Sequence, residues 1–463
     1  MKSKKMTANQ TPVVLIASVS LCIASGARAD LNQVTGMTPV QQPVAATIQE
    51  ICPKMGVQAS TLTAPQTLLL GSCRKLVQTS NDIQGSGLSV QSLGLSESEL
   101  RGALQGVAPE EMNAQDRTRA LSNASPIGAR LLALRRGAGG GLLANASFNL
   151  NGSPVLLSEL LPEGSQGGGA SPDAGLSSPW SGFIQGHYNW GDRDASALED
   201  AFDFDDVGIT GGVDYRFSEA TVAGIALSYS RTEADFDGGL GDVESKNVGL
   251  SVYASHSIGN MYVEGVLGYS RADFDSARRI LVPSATNVAG FDTTARGSTD
   301  ADQFSASVGA GYDWSRDGLT LTPFARLSYM SLDIDGFTES EPVHGLGLDV
   351  EGRTVRSLQS AIGVQVMKAV STQSGVVTPY AGIEWNHEFK NDEANIVAKY
   401  THDPFNTTFF IPTADPDRNY FTVRAGVSAT FASGLAAFAN IDTVVGLNDT
   451  SGTSLTFGVR LEF

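Results

Sequence analysis

From Trp180 to the C-terminus, apolar and polar residues alternate in short runs, the pattern of strands with one apolar and one polar face. The last run is the cleanest. Leu455, Phe457, Val459, Leu461 and Phe463 fall on one face, and Ser454, Thr456, Gly458, Arg460 and Glu462 on the other. The same split sets Phe421, Val423, Ala425, Val427, Ala429 and Phe431 against Thr422, Arg424, Gly426, Ser428 and Thr430. It also sets Phe304, Ala306, Val308, Ala310, Tyr312 and Trp314 against the polar and glycine residues between them. About twelve runs follow, beginning near Trp180, Val207, Thr221, Asn247, Met261, Asp302, Leu319, Ser357, Val376, Asn419, Leu435 and Thr453. Pro323 and Pro379 fall near strand beginnings, where a missing N–H does least harm.

The connections alternate in length. They are short at Ser218-Glu219-Ala220, Ile258-Gly259-Asn260, Arg316-Asp317-Gly318, residues 371–375 and Ala432-Ser433-Gly434, and mostly long elsewhere, as from Ala272 to Ala301 and from Asp392 to Arg418. Short turns at one end and long loops at the other distinguish an outer-membrane barrel from a soluble sandwich. Trp190, Tyr188, Tyr229, Tyr269, Tyr329 and Trp385 fall towards strand ends on the apolar face, as aromatic girdles do. Acidic residues gather in the long connections, as in Glu233-Ala234-Asp235 and Glu339-Ser340-Glu341, and are expected to be solvated there. The predicted fold is an all-β transmembrane barrel of about 12 antiparallel strands preceded by a small, mostly α-helical N-terminal region.

The N-terminal part reads differently. Lys2, Lys4 and Lys5 precede an apolar run from Val13 to Ile23 that is too short to span a bilayer, followed by Ala27-Arg28-Ala29. This is a secretory signal peptide with cleavage expected between Ala29 and Asp30. Cys22 leaves with it, and the remaining Cys52 and Cys73 are expected to form a disulfide in an oxidising compartment. Pro109-Glu110-Glu111 is a good helix opening. Ile127, Leu131 and Leu134 recur at helical spacing with Arg130, Arg135 and Arg136 among them, until Gly137. Gly139-Gly140-Gly141 and Gly167-Gly168-Gly169 mark a linker. The expected division is therefore a signal peptide at 1–29, a helical region with the disulfide at 30–136, a linker at 137–179 and the barrel at 180–463.

Composition narrows the function. Charged residues are 17% of the chain, hydrophobic residues 41%, and the formal net charge is −18, which excludes charge-rich disorder and a nucleic-acid binder. Neither a Gly-x-Ser-x-Gly elbow nor a His-Glu-x-x-His helix is present. All five His (His187, His256, His344, His387, His402) belong to the barrel part, so no Ser of the helical region has a His partner in its own domain. His402-Asp403 and Asn386-His387-Glu388 are half-sites without a nucleophile. No enzyme activity, cofactor or metal site is expected.

Three stretches carry a family resemblance: Trp180-Ser181-Gly182-Phe183-Ile184-Gln185-Gly186, Ser270-Arg271-Ala272-Asp273-Phe274 and the closing Leu461-Glu462-Phe463. With the strand count, residues 180–463 resemble the translocator β-domain of type V autotransporters. The resemblance implies a barrel inserted by the outer-membrane assembly machinery, which exports or displays its own N-terminal segment without nucleotide hydrolysis. Phe457, Val459, Leu461 and Phe463 have the form of the C-terminal signal read by that machinery. Residues 127–135 resemble the helix that threads the lumen, where Arg130, Arg135 and Arg136 would face Glu264, Asp214, Glu384 and Glu388. In the family this helix leads directly into the first strand, whereas here Gly137 to Pro179 intervenes. Self-cleaving members use an Asn pair in the lumen helix, and Asn123 lacks such a partner, which favours an uncleaved segment; the resemblance implies display for adhesion or surface interaction. The implied partners are outer-membrane lipid and lipopolysaccharide, the assembly machinery and a host or surface ligand; nucleic acid is not among them, and a monomer is expected. The rival readings are a passive porin-like channel and a barrel-borne hydrolase.

Overall fold

The computed structural model describes residues 30–109, 127, 128, 131, 147–150, 153–156, 179–390, 395–415, 417–431 and 435–462. Twelve long strands form the barrel: β1 (Trp180–Arg193), β2 (Phe202–Ser218), β3 (Thr221–Phe236), β4 (Gly241–Ile258), β5 (Met261–Val282), β6 (Phe291–Tyr312), β7 (Leu319–Ile334), β8 (Arg353–Lys368), β9 (Gly375–Glu388), β10 (Asn419–Phe431), β11 (Leu435–Val445) and β12 (Thr453–Glu462). Each pairs antiparallel with its sequence neighbours. The ring is closed by β12 on β1, with Val459 opposite Ile184. Closure removes the unpaired edges that hydrocarbon would not tolerate.

The alternation predicts the two faces. Ile184, Ile209, Leu227, Leu267, Val308 and Phe457 are exposed on the outside, while Ser181, Gln185, Thr210, Asp214, Gln303 and Glu384 are buried inside. Exposed Trp180, Phe217, Tyr312 and Trp314 ring the short-turn end, and exposed Tyr188, Tyr229, Tyr269 and Trp385 ring the other end of the apolar band. The ten residue steps from Trp180 to Trp190, at about 3.3 Å each and tilted by about 40°, give a band about 25 Å tall, the height of an outer-membrane hydrocarbon belt. At the short-turn end the chain reverses at Gly259 (φ 60°) and at Asp317-Gly318 (φ 52° and 75°).

Beyond the outer girdle the structure departs from the expected loops. The span from Ala272 to Ala301 is strand except for residues 283–290, and β2, β4 and β8 also begin before the expected Val207, Asn247 and Ser357. The reason is a change of face. In the membrane band β5 turns odd-numbered Val263, Leu267 and Tyr269 outward, but past Tyr269 the even-numbered Ala272, Phe274, Ile280 and Val282 are the apolar residues of the buried face, while odd-numbered Leu281 stays exposed. The same switch occurs in β2, where Phe202 and Phe204 are buried, and in β7, where Leu332 and Ile334 are. Phe202, Phe204, Ala272, Phe274, Leu332 and Ile334, with Phe236, Val243 and Ala301, form an apolar core inside the barrel wall above the membrane.

Among residues 30–109 three α-helices are described: α1 (Gln41–Val57), α2 (Ala64–Ile83) and α3 (Glu97–Gln105). Thr63 and Gln66 cap α2, and Ser96 and Glu99 cap α3, each as a reciprocal capping box. The Cys52–Cys73 disulfide staples α1 to α2; a loop of this size contributes on the order of 3 kcal/mol. Within the expected linker, Ser147–Leu150 and Ser153–Leu156 pair as a hairpin, joined in sequence by Asn151-Gly152, the residue pair that favours tight hairpin turns.

Candidate functional site: the lumen and its outer rim

The lumen is lined by side chains that the pleat turns inward from every strand, around a cavity of about 470 Å³. Asp214 accepts from Ser181 Oγ (2.6 Å) and Tyr253 Oη (2.5 Å). Asp206 accepts from Asn189 Nδ2 (2.7 Å) and Thr232 Oγ1 (2.9 Å), with His187 Nε2 at 2.9 Å. Arg326 donates to Glu384 (3.0 Å), Arg424 pairs with Asp442, and Glu388 accepts from Ser357 Oγ (2.5 Å) and the Leu358 N–H (2.9 Å). Glu264 lines the same cavity. The four acids expected in the lumen are therefore there, and Asp214, Glu384 and Glu388 are held by partners on the barrel itself.

Ile127 and Leu131 enter this space. They are buried and pack against Phe183, Val222, Ala226 and Tyr253, an apolar patch on the lumen wall. Arg130, Arg135 and Arg136, Asn123, the signal-peptide residues Ala27 and Ala29, and Phe463 lie outside the described residues. Asp30 caps a short turn at Leu31–Gln33. Phe457, Val459 and Leu461 are exposed on the lipid-facing side of β12.

The long-loop end carries a second constellation. Two connections, β7–β8 and β9–β10, contribute Phe337–Thr338, Leu348–Val350, Ile396–Tyr400 and Phe409–Ile411 to a four-stranded sheet above the rim. The three helices pack on this sheet and on the tips of β5 and β6 through one continuous apolar core. Arg278 of β5 is fully buried at the joint. It grips Glu339 with Nε (3.1 Å) and Nη2 (2.5 Å), and donates to the carbonyls of Gly106 and Val107 past the C-terminus of α3 (3.4 and 3.0 Å) and of Leu346 (3.3 Å). A cation at a helix C-terminus also meets the negative end of the helix dipole.

Further bonds tie the same surfaces. Ser72 Oγ donates to the His344 carbonyl (2.9 Å), Lys75 Nζ to that of Ala289 (2.7 Å), Thr286 Oγ1 to that of Ser92 (2.9 Å), and the Ala285 N–H to Leu93 O (2.7 Å). Glu341 is almost fully buried and accepts from Thr293 Oγ1 and the N–H groups of Val343, His344 and Leu346. Burial pushes its carboxyl up, but these donors together outweigh burial and hold it below the usual carboxylate range. Burial lowers the His344 imidazole, and nearby Lys75 adds to this while Glu341 opposes it. Glu339 and Glu341 are thus not solvated loop acids, because each satisfies donors that the rim buries.

The side chains of the two half-sites are engaged as follows. Asn386 donates to Thr422 inside the barrel, whereas His387 lies between the rings of Trp385 and Phe389 and bonds Asn419. Asp403, beside His402, accepts from the N–H groups of Phe405 and Thr407 and shapes its own turn. Among the described residues no group of three or more His, Cys, Asp or Glu is placed to hold a metal. Arg278, Glu339, Glu341 and Gly345 of the rim were not foreseen. The signal for Arg278 was its place on the even-numbered, apolar side of β5, between Phe274 and Ile280.

Comparison with known proteins agrees with this architecture. A family model described as the autotransporter β-domain matches residues 182–442. The esterase EstA of Pseudomonas aeruginosa is 22% identical over 287 residues, covering 61% of this chain and 43% of that protein. An extracellular serine protease of Serratia marcescens is 21% identical, covering 52% of this chain and 22% of that protein. This chain thus spans less than half the length of the curated relatives it matches. Among solved structures, the translocator domain of the autotransporter NalP from Neisseria meningitidis aligns with TM-score 0.49 and 17% identity, over 62% of this chain and 89% of that one. The β-domain of the Bordetella autotransporter Brka aligns with TM-score 0.44 and 16% identity, over 62% of this chain and all of that one.

Proposed function

Because the chain belongs to the autotransporter family, with an outer-membrane β-barrel as its C-terminal domain, we propose that this barrel carries its own N-terminal segment outward and displays it, uncleaved, on the cell surface. The observation that supports this reading is the side on which the helices sit. They pack on the long-loop end, beyond the outer girdle, while β1 starts at the short-turn end, an arrangement that fits a chain threaded through the barrel. Ile127 and Leu131, packed inside the wall, mark that passage. The polar lumen suits an extended chain in transit, since its carboxylates and amides can exchange hydrogen bonds with a passing backbone.

Assembly by the outer-membrane insertion machinery, contact with lipopolysaccharide and a monomeric state belong to the same proposal, as does a surface ligand for the displayed helices. We read the chain as a display protein without catalysis of its own; purified, it is expected to leave ester and peptide substrates intact. A porin-like channel is the weaker reading, because Ile127 and Leu131 occupy the lumen. The deciding experiment is an epitope tag placed just after Asp30. Antibody labelling of intact cells supports display; labelling only after the outer membrane is permeabilised places the segment in the periplasm and refutes it.

A further inference from the structure

We infer that the helical segment is not a self-standing passenger: residues 30–109 and the outer rim of the barrel are two halves of one folding unit, so the segment gains its fold only on reaching the rim and stays there as a retained cap. This rests on the display reading and adds to it an order of events and a permanent docking partner, the rim of the same chain.

The core carries the inference. Of the 33 buried residues in the cluster that holds the helices together, 20 come from residues 31–108 and 13 from the barrel, among them Ile280, Phe291, Leu348, Ile396 and Ile411. The rim is thus the opposite wall of the core. Without it the apolar faces that the helices turn towards the rim lie open to water, leaving only their contacts with one another and the Cys52–Cys73 bond, and helices of 17, 20 and 9 residues do not persist on propensity alone. Conversely, the four-stranded sheet is built from pieces of two to five residues in two separate connections, too short to hold together except against the helices.

Polar contacts make the match specific. The Arg278–Glu339 pair is completely buried, and Arg278 spends its remaining donors on carbonyls of Gly106, Val107 and Leu346. Lifting the helices leaves a buried cation short of acceptors. Backbone also meets backbone: a Cβ at Gly345 would lie 2.7 Å from the Leu69 nitrogen. Such approaches arise where two surfaces are shaped for each other. A segment that folds only on the rim also remains unfolded while it crosses the lumen, which a preformed three-helix domain would block.

The test uses the whole chain with a site for a specific protease inserted between Pro109 and Ile127. After cutting, the helical fragment is expected to stay on the barrel through gel filtration. Arg278→Met should then release it, and the released fragment should have lost its helical circular dichroism. In the uncut Arg278→Met chain, trypsin should cut after Lys54, Arg74 and Arg101 faster by about a hundredfold or more, with the barrel still shifting on unheated gels. If Arg278→Met also prevents barrel folding, Ile411→Asp, which lies in the shared core but outside the twelve barrel strands, serves instead. Release of a fragment that remains helical and trypsin-resistant overturns the inference. That result leaves display standing, since display is decided separately by the tag on intact cells.

Discussion

Replacing Gly345 with Ala isolates the fit between cap and rim. Gly345 lies in the β7–β8 connection with φ 70°, and an added Cβ would stand 2.7 Å from Leu69 N and 3.1 Å from its Cα and Cβ. A left-handed backbone costs a non-glycine residue about 1–2 kcal/mol. The clash is with helix backbone and cannot be relieved by a rotamer change, so separation of α2 from the rim is the available escape. Forcing overpacked atoms apart costs a further 1–3 kcal/mol or so, for a total of about 2–5 kcal/mol, or about 30-fold or more in the docking equilibrium. Gly259→Ala provides the matched control: its φ is 60°, at a short-end turn, with nothing within 4 Å of an added Cβ. It carries the backbone cost without the clash. The assay is the rate of tryptic cutting after Lys54 and Arg74 in the folded chain, with barrel integrity read from gel mobility before and after heating. Gly345→Ala should accelerate cutting about 30-fold while Gly259→Ala leaves it unchanged. Equal rates in both variants would show that the close approach does not constrain the cap.

Acidification should loosen the cap in two stages. Burial holds His344 below its ordinary value of 6.5, so the docked state binds fewer protons than the undocked one, and docking weakens as pH falls through and below about 6.5. The lowered Glu341 carboxyl acts in the same direction, its contribution being present above about 4.5 and lost below it. Trypsin sensitivity measured between pH 8 and 5 should therefore rise, and His344→Gln should flatten that rise. On the membrane band, Val308→Arg places a charge on the lipid face midway between Phe304 and Tyr312 and should cost about 2–4 kcal/mol in refolding titrations, whereas Ser307→Arg, facing the lumen, should cost far less.

The barrel was legible because the pleat imposes a strict period of two, and the lipid demands apolar residues on one phase of it. Twelve strands, the short turns and the girdles all follow from that demand. The extension of β5 and β6 was harder to read because the period continues while its phase reverses: Tyr269 faces lipid, yet Phe274, five residues on, faces inward. Taken as one alternating run, that stretch loses its pattern and resembles a loop. The lumen acids Asp214, Glu384 and Glu388 were readable by their place on the polar phase. Arg278 and Gly345 were not, since they matter through contact with the helical segment 170 or more residues away in the chain, and Glu339 was not, since it matters through Arg278. The Cys52–Cys73 bond needed only compartment and parity.

The phase reversal also accounts for where the negative charge resides. On three adjacent strands the outward positions follow one sequence away from the membrane: Tyr229, Arg231, Glu233 and Asp235 on β3; Val248, Lys246, Glu244 and Asp242 on β4; Tyr269, Arg271, Asp273 and Asp275 on β5. Aromatic or aliphatic residues meet lipid, one row of cations follows, and two rows of carboxylates stand above it. The cations are paired within the wall, Arg231 and Lys246 with Glu244, and Arg271 with Asp300. The carboxylates oppose one another directly: Asp235 faces Asp203 and Asp242, and Glu233 faces Asp205 and Glu244. Like charges across a ladder are destabilising, and they offset what the Arg231–Glu244 and Arg271–Asp300 pairs contribute across the same wall. Beyond the backbone ladder, the cohesion of the wall comes mainly from the other phase, where Phe202, Phe204, Phe236 and Phe274 are buried against one another. Burying a Phe side chain is worth about 1.5–3 kcal/mol, against a few tenths to about 1 kcal/mol for each adverse pair. The inner core therefore outweighs the outer repulsion, and keeps the wall standing far enough above the membrane for β5 and β6 to reach the cap.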